Sequence, residues 1–458
     1  MLKNIILDTD SYKHSHYLQY PAGSQYVYSY IESRGGKWDR TVMFGLQILL
    51  TEWDRNPITY EMIDEAEAVV TANGLPFNRK GWEYIVEKHG GRLPIYIKAV
   101  QEGSVVPGKN VLLTIVNTDP NCFWLTSFLE TALLRAVWYP VTVATLSWHS
   151  KQVIREYLDL TSEDPEGQIA FKLHDFGARG VSSEESAAIG GAAHLVNFKG
   201  TDTLSGILAA RRYYGAEMAG FSIPAAEHST ITSWLRSGEV DAYRNMLRQF
   251  GKPGSLVAVV SDSYDLFKAC RDIWGGELKS HVLDSGTTLV VRPDSGDPTI
   301  VPVQTVQALA EKFGVTTNAK GYKVLNSVRV IQGDGITIET IRTICENMIA
   351  AGFSIDNIAF GMGGGLLQMV NRDDLRFAMK CSAICVNGEW RDVYKDPITD
   401  QGKRSKRGRL ALIREHGDYE TASYDGNQWR DELLPVFRDG KLLRTWTFDE
   451  IRARAERV

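Results

Sequence analysis

Between residues 171 and 230, short apolar runs stop abruptly in polar, glycine-rich loops. Residues 171–173 lead into His174-Asp175-Phe176-Gly177, 195–198 into Lys199-Gly200-Thr201-Asp202, and 221–223 into Pro224 and then Glu227-His228. Runs of this length, bounded by Gly and Pro, predict buried strands. The Ala- and Glu-rich stretch 183–194 predicts a helix between two of them. The alternation continues downstream: 256–260 into Ser261-Asp262-Ser263, 289–291 into Arg292-Pro293-Asp294, 328–331 into Gln332-Gly333-Asp334-Gly335, and 358–360 into Gly361-Met362-Gly363-Gly364-Gly365. Seven strand ends in succession thus carry Asp, Arg, His or Gly clusters. Parallel strands with crossover helices gather their C-terminal ends on one face, which in (β/α) barrels holds the site. Any one such loop reads equally well as ordinary turn chemistry; seven in a row predict a convergent site.

The flanks follow a different pattern. Residues 24–32, with Tyr26, Tyr28 and Tyr30 alternating, predict an amphipathic strand. Stretches 60–72 and 81–87 predict helices, and 95–100 and 110–116 a pair of strands around Pro107-Gly108. An apolar helix over 122–139 should end or kink at Pro140, with a second helix over 143–158. After about residue 376 the chain turns strand-like at 381–386, 410–414 and 444–448, and closes with a short charged helix over 449–457. The expected fold class is α/β: an irregular (β/α) barrel over 160–375, with a second mixed β-rich domain built from 1–159 and 376–458.

Composition narrows the function classes. With 458 residues, 43% apolar and 10% aromatic, the chain supports a large packed core, not a disordered segment. A net charge of −5 offers no basic face for nucleic acid or anionic membrane. Five scattered cysteines suit a reducing compartment, and Cys381 with Cys385 lacks the second Cys/His pair that a structural zinc needs. The opening residues hold no signal-peptide pattern and no run approaches the ~20 apolar residues that span a bilayer, so the expectation is a cytoplasmic protein.

The loops offer three kinds of chemistry. Gly363-Gly364-Gly365 and Gly333-Asp334-Gly335 can bring backbone N–H groups to an anion. Arg179, Arg292 and Arg372 can hold phosphate oxygens in a fork. Asp202, Asp262, Asp294 and Asp334 can hold ribose hydroxyls, Mg²⁺ or a basic ring substituent. Together these predict a phosphorylated sugar, with Mg²⁺. His228 at a strand end beside Glu227 can serve as acid, base or phosphoryl acceptor, or as a hydrogen-bonded core histidine. Phe176 is open between core packing and stacking on a planar ring, and His174 is ambiguous in the same way. The run Lys403-Arg404-Ser405-Lys406-Arg407-Gly408-Arg409 reads as a solvated loop or a localisation look-alike. Behind Arg372, Lys380 and Lys395, it also suits phosphate binding.

The strings TDSYKHSHYLQYP, VYSYIESR, HDFGARGVSS, HLVNFKGTDT, SIPAAEHSTITSW, VVSDSYDLF, VVRPDSGDP, VIQGDGI, IAFGMGGGLLQ, KCSAICVNG, YKDPITD and KRSKRGRLAL resemble, in order, those of the nicotinamide phosphoribosyltransferase family. The resemblance covers nearly the whole chain and is weakest over 43–150. It implies the type II phosphoribosyltransferase fold and a homodimer with shared sites. It also implies transfer of phosphoribosyl from phosphoribosyl pyrophosphate to nicotinamide, with Mg²⁺ and with ATP as co-substrate. By the same resemblance Phe176 and the partner subunit's Tyr12 sandwich the nicotinamide ring. Asp202 accepts from the carboxamide, and Arg179 and Arg292 line the pocket and the pyrophosphate path. Asp294, Gly333 and Asp334 hold the ribose; Gly363, Gly364 and the partner subunit's Arg372 bind the 5′-phosphate. Arg34, Lys380, Lys395 and Lys403 bind pyrophosphate or ATP phosphates, and His228 resembles the histidine that ATP phosphorylates. Two positions depart from the family pattern: Met362 stands where a small Ser is more familiar, and Ala378 where a Ser hydroxyl is available.

Three rivals remain in view. Nicotinate phosphoribosyltransferase shares fold and chemistry, but a pocket for an acid should avoid the Asp202 carboxylate. A non-catalytic signalling or binding protein has no use for the full set of His228, Arg292, Asp294 and the glycine loop. A metal-dependent barrel hydrolase needs clustered histidines, and only His174 and His228 qualify.

Overall fold

The structure, a computed structural model, describes residues 4–399, 404–424, 426 and 430–457. The chain divides into two compact units, one comprising Met1–Thr145, Arg212–Ala216 and Asn371–Val458, the other Leu146–Arg211 and Glu217–Val370.

The second unit is built on a six-stranded parallel sheet. Its spatial order is Gly200–Thr201, Leu173–Asp175, Ile358–Met362, Val328–Gln332, Thr288–Arg292 and Leu256–Val260. Residues 221–225 make parallel bridges to both edges, Phe221 to Gly200 and Ala225 to Ala258. Phe221 N–H donates to Lys199 O at 2.7 Å, and Ala258 N–H donates to Pro224 O at 2.9 Å. The sheet is thereby closed into an irregular barrel, as the α/β expectation requires. Inward positions carry Ala258, Val290 and Ile331, packed with Phe176, Ile223 and Ala359. Near the N-terminal ends of the strands, the buried Lys172 ammonium donates to Ile355 O (2.8 Å), Ile358 O (3.0 Å) and Asp356 O (3.3 Å). Burial lowers its pKa to about 7.

Two strand expectations shift. The apolar run 195–198 is the buried turn that follows the helix Glu184–His194, and pairing starts only at Gly200. Residues 221–223 supply one bridge, at Phe221, but no full strand, since Pro224 has no N–H to extend the ladder.

The first unit interleaves both chain ends in one antiparallel sheet. Its order is Glu389–Asp392, Phe377–Val386, Ser24–Ser33, Val111–Asn117, Ile95–Ala99, Leu434–Arg438 and Lys441–Leu442. Ser24–Ser33 is central and largely buried, not amphipathic. Its tyrosines tolerate this because their hydroxyls are satisfied: Tyr28 donates to Leu410 O at 3.1 Å, and Tyr30 accepts from Lys406 N–H at 2.8 Å. Residues 444–447 form no strand; Leu434–Arg438 takes that place in the sheet, and the terminal helix is Phe448–Ala455.

The helix Glu130–Thr161 runs unbroken through Pro140, against expectation. An internal proline costs ~3 kcal/mol, but Val137, Val141, Val143 and Ala144 around it are fully buried. Among the described residues no helix is long and apolar enough to cross a membrane, and all five cysteines are free.

The helix Leu46–Arg55 starts after Gly45 (φ 98°) without a side-chain cap of its own. Glu102, fully buried, supplies one from a distance. It accepts from Gly45 N–H at 3.1 Å, Gln47 N–H at 2.7 Å and the Tyr214 hydroxyl at 2.8 Å. Burial still pushes its carboxyl above the ordinary range. Glu102→Ala orphans two buried backbone donors, so a loss of about 3 kcal/mol is expected. A urea titration checks this; a midpoint equal to wild type would contradict the capping role.

Candidate active site at the strand ends of the barrel

The site begins where the strand Leu173–Asp175 ends. Phe176 N–H donates to Met362 O at 3.0 Å, which turns the phenyl ring across the barrel mouth. The ring lies directly on the backbone of Gly361, where a Cβ would stand 2.1 Å from a ring carbon. It also abuts Gly333, where a Cβ would come to 3.2 Å. Neither glycine is there for a positive φ; both are needed for close approach. Gly333 in turn borders Asp294, whose Oδ1 would be 3.7 Å from that same Cβ, so ring platform and carboxylate are neighbours. Gly177 and Gly180 pack on Gly363 and Gly364, where their Cβ atoms would come to 2.9 and 3.3 Å, at the start of the four-residue helix Gly364–Leu367. Arg179 between them is exposed.

Asp202 follows Gly200–Thr201 and is exposed. Its N–H donates to Asp175 O at 2.9 Å, and its carboxylate accepts from the Ser222 hydroxyl. The nearby His174 is structural: its Nε2 lies 3.0 Å from Phe171 O, and burial lowers its pKa.

His228 opens the short helix His228–Thr232 and stands between two carboxylates. Nε2 is 2.9 Å from Asp262 Oδ1, and Nδ1 is 3.8 Å from Asp294 Oδ2. Asp262 is buried, with 4% of its side chain exposed, whereas His228 is 45% exposed. An Asp262 carboxylate that accepts from Nε2–H leaves Nδ1, on the side of Asp294, with its lone pair unprotonated, the state a nucleophile or base needs. Asp262 Oδ2 also accepts from Asp294 N–H at 3.3 Å, and Arg292 Nε is 3.7 Å from Asp294 Oδ1. Sequence reasoning placed Asp262 among general ribose or Mg²⁺ holders; its grip on His228 had no local signal.

Several buried polar atoms here make no hydrogen bond of acceptable geometry: Asp175 Oδ2, Thr203 Oγ1, Ser263 Oγ, Arg292 Nε and Gln332 Oε1. Interiors normally satisfy such atoms; Asp175 Oδ2 and the Thr203 side chain face the helix Glu184–His194 beside Gly191, so it is Ser263 Oγ, Arg292 Nε and Gln332 Oε1 that mark where a polar ligand belongs. Asp334 is exposed, and its carbonyl accepts from Gln332 Nε2 at 2.8 Å. Met362 is buried and contacts Gly365, so its side chain takes no place in the mouth.

The first unit carries the remaining residues flagged in the sequence. Lys380 is pushed below its ordinary pKa, by burial above all and then by Arg34, Lys395 and Arg372, with Glu130 opposing. These four cations therefore share one electrostatic neighbourhood. Ala378, the second departure, lies two residues earlier on the same strand, opposite Glu32. Tyr12 is 57% exposed on the 3₁₀ helix Ser11–Leu18, edge-on to His16 at 4.8 Å. Most of the basic run is spoken for. Arg404 forks onto Asp396 through two 2.9 Å bonds, and Lys406 pairs with Glu32. Arg407 and Arg409 lie over Tyr394 and Trp390. Lys403 lies outside the described residues.

Gly361→Ala must displace the Phe176 ring, and overpacking of this kind costs about 1–3 kcal/mol. The expected outcome is a lowered melting temperature with weaker binding of planar heteroaromatic ligands, read by calorimetry. Unchanged stability and binding would show that the ring does not rest on this glycine.

Residues 171–440 match the nicotinate phosphoribosyltransferase (NAPRTase) family, and residues 4–97 match the nicotinamide phosphoribosyltransferase N-terminal domain. A nicotinamide phosphoribosyltransferase of Xanthomonas campestris pv. campestris is 59% identical over 99% of this chain and 98% of its own. One of Acinetobacter baylyi is 33% identical over 97% and 95% respectively. In the crystal structure of nicotinate-nucleotide pyrophosphorylase from Pyrococcus furiosus the same fold recurs, with a TM-score of 0.65 at 15% identity, covering 99% of this chain and 95% of that one. The chain therefore belongs to the nicotinate phosphoribosyltransferase family and, within it, to the nicotinamide phosphoribosyltransferase family.

Proposed function

We propose that this protein transfers phosphoribosyl from phosphoribosyl pyrophosphate to the ring nitrogen of nicotinamide. The products are nicotinamide mononucleotide and pyrophosphate, a step of pyridine-nucleotide salvage. The reading rests on one juxtaposition: the Phe176 ring and Asp202 at one side of the barrel mouth, and His228 with Asp262, Asp294 and Arg292 beyond Gly333. Phe176 stacks one face of the pyridine ring, and the partner subunit's Tyr12 covers the other in a homodimer. Asp202 accepts from the carboxamide NH₂. Nicotinate presents a second anionic oxygen there and meets like charge.

The ring nitrogen attacks C1 as the bond to pyrophosphate lengthens. The transition state is oxocarbenium-like, with negative charge growing on the leaving group. Arg179 and Arg292, with Arg34, Lys380, Lys395 and Lys403 from the β-rich part, stabilise that charge more than the ground state. Loss of one such contact costs about 3 kcal/mol of barrier. Asp294, Gly333 and Asp334 hold the ribose, and Gly363, Gly364 and the partner subunit's Arg372 the 5′-phosphate. Asp294, only loosely engaged at 3.7 and 3.8 Å, offers the hard oxygen donors that suit Mg²⁺. When bound, Mg²⁺ neutralises charge on the pyrophosphate. His228 Nδ1 accepts a phosphoryl group from ATP, which couples ATP hydrolysis to product formation. In this reading residues 160–375 are the catalytic domain, residues 1–159 and 376–458 serve dimer formation and phosphate binding, and the enzyme works in the cytoplasm.

The test is mononucleotide formation from phosphoribosyl pyrophosphate and Mg²⁺ with nicotinamide and nicotinate in parallel, with and without ATP. Product from nicotinamide, boosted by ATP, is expected; product from nicotinate alone transfers the assignment to the acid-specific enzyme. Asp202→Asn should shrink the preference for nicotinamide about tenfold or more in kcat/KM, because Asn can donate to a carboxylate. Unchanged selectivity removes Asp202 from recognition. His228→Ala should lower ATP hydrolysis by about 100-fold or more while some uncoupled transfer remains; retained hydrolysis shows the role misassigned.

A further inference from the structure

Asp175 has no contact role in the site described above, yet both ring-recognition residues hang from it. Strand alternation points His174 and Phe176 to the barrel interior and Asp175 to the opposite side, toward the helix Glu184–His194. There a Cβ on Gly191 would lie 3.3 Å from Asp175 Oδ2. Asp175 is completely buried. Its Oδ1 accepts from Gly177 N–H at 2.7 Å and so closes the turn that carries Phe176. Its main-chain oxygen accepts from Asp202 N–H at 2.9 Å, and Asp175 pairs in register with Thr201. Gly177, held by the first bond, packs on Gly363, where a Cβ would come within 2.9 Å of Gly363 O. One residue thus ties together the ring platform, the carboxamide acceptor and the loop after Ile358–Met362.

We propose that Asp175 is a positioning residue that sets the distance between the Phe176 ring and the Asp202 carboxylate, and thereby the affinity and selectivity for a carboxamide-bearing pyridine. The proposal rests on the reading that this pocket takes nicotinamide. A buried carboxyl is a costly way to close a turn: burial raises the Asp175 pKa to about 6, even though the Gly177 N–H and the Thr203 hydroxyl both pull it down. A buried carboxyl oxygen, however, is a rigid acceptor whose place is fixed by packing from Gly191, and rigidity is what ring and acceptor need to act together.

The two bonds make different demands on a substitution. The Asp202 bond uses the main chain and survives any side chain. The Gly177 bond needs an acceptor at the position of Oδ1. Asp175→Asn keeps that acceptor and removes the charge; Asp175→Ala removes both. Asp175→Glu moves the acceptor by one methylene and keeps the charge.

The experiment is steady-state kinetics of wild type, Asp175→Ala, Asp175→Asn and Asp175→Glu on nicotinamide and on phosphoribosyl pyrophosphate, with circular dichroism to confirm folding. Asp175→Ala and Asp175→Glu are expected to raise the KM for nicotinamide about tenfold or more. Their kcat and their KM for phosphoribosyl pyrophosphate should stay within about threefold of wild type, and Asp175→Asn should restore the nicotinamide KM to that range. If Asp175→Ala does not fold, the pair of Asp175→Glu and Asp175→Asn carries the comparison. An unchanged nicotinamide KM in a folded variant overturns the proposal. So does a parallel fall in kcat and both affinities, which is the mark of general destabilisation, or an Asp175→Asn as damaged as Asp175→Glu. A wild type that forms no mononucleotide from nicotinamide refutes the functional reading itself, whereas an active wild type with unaffected variants refutes only the role of Asp175.

Discussion

A phenyl ring resting on bare backbone governs the barrel mouth. Phe176 occupies space that any side chain at 361 would fill, and it crowds 333 almost as closely. Four things have to agree for that contact to exist. The strand Ile358–Met362 must carry glycine at 361, its Met362 carbonyl must accept from Phe176, Asp175 must close the turn, and Gly177 must let the loop approach Gly363. Each is a short-range steric or hydrogen-bond condition, and together they give the ring one position. Pre-set aromatic platforms of this kind bind planar ligands without spending affinity on ordering the protein.

Charge is arranged on the same principle of fixed neighbours. His228 draws its properties from Asp262, which is itself held by Asp294 N–H, and Asp294 faces both His228 and Arg292. A buried carboxylate with both oxygens engaged is a rigid partner, while Asp294, more exposed and at longer distances, keeps coordination capacity for a ligand. The first unit shows the complementary case. Its most conspicuous basic run is largely neutralised by Asp396 and Glu32 or stacked on aromatic rings, whereas Arg34, Lys395 and Arg372, dispersed in sequence, all act through space on Lys380. Density of charge along the chain was therefore a poorer guide than its placement.

Much of the fold was legible in the residues. Runs of Val, Ile and Leu at 256–260, 289–291, 328–331 and 358–360 became strands at almost those bounds, because turn residues (Gly, Pro, Asp, Asn and Ser) punctuate them on both sides. The failures share a cause. The run 195–198 is as apolar as a strand but forms the turn after a helix, Pro140 is tolerated where burial on both sides outweighs one missing hydrogen bond, and it is Leu434–Arg438, not 444–448, that pairs with Ile95–Ala99. Apolar character reports burial, and burial alone does not say which regular structure provides it.

The chain's own order of residues determined the alternation of strand and helix, the delivery of Asp, Arg, His and Gly to successive strand ends, and, through long matching strings, the family. Those are local properties: period, punctuation and motif. Only the tertiary structure decided that Asp262 holds His228 across 34 positions, that Phe176 lies on Gly361, that residues 221–225 close the barrel, and that both chain ends share one sheet. Each of these depends on which strands become neighbours and in what register, a choice made by the packing of the whole core and written in no single stretch of sequence.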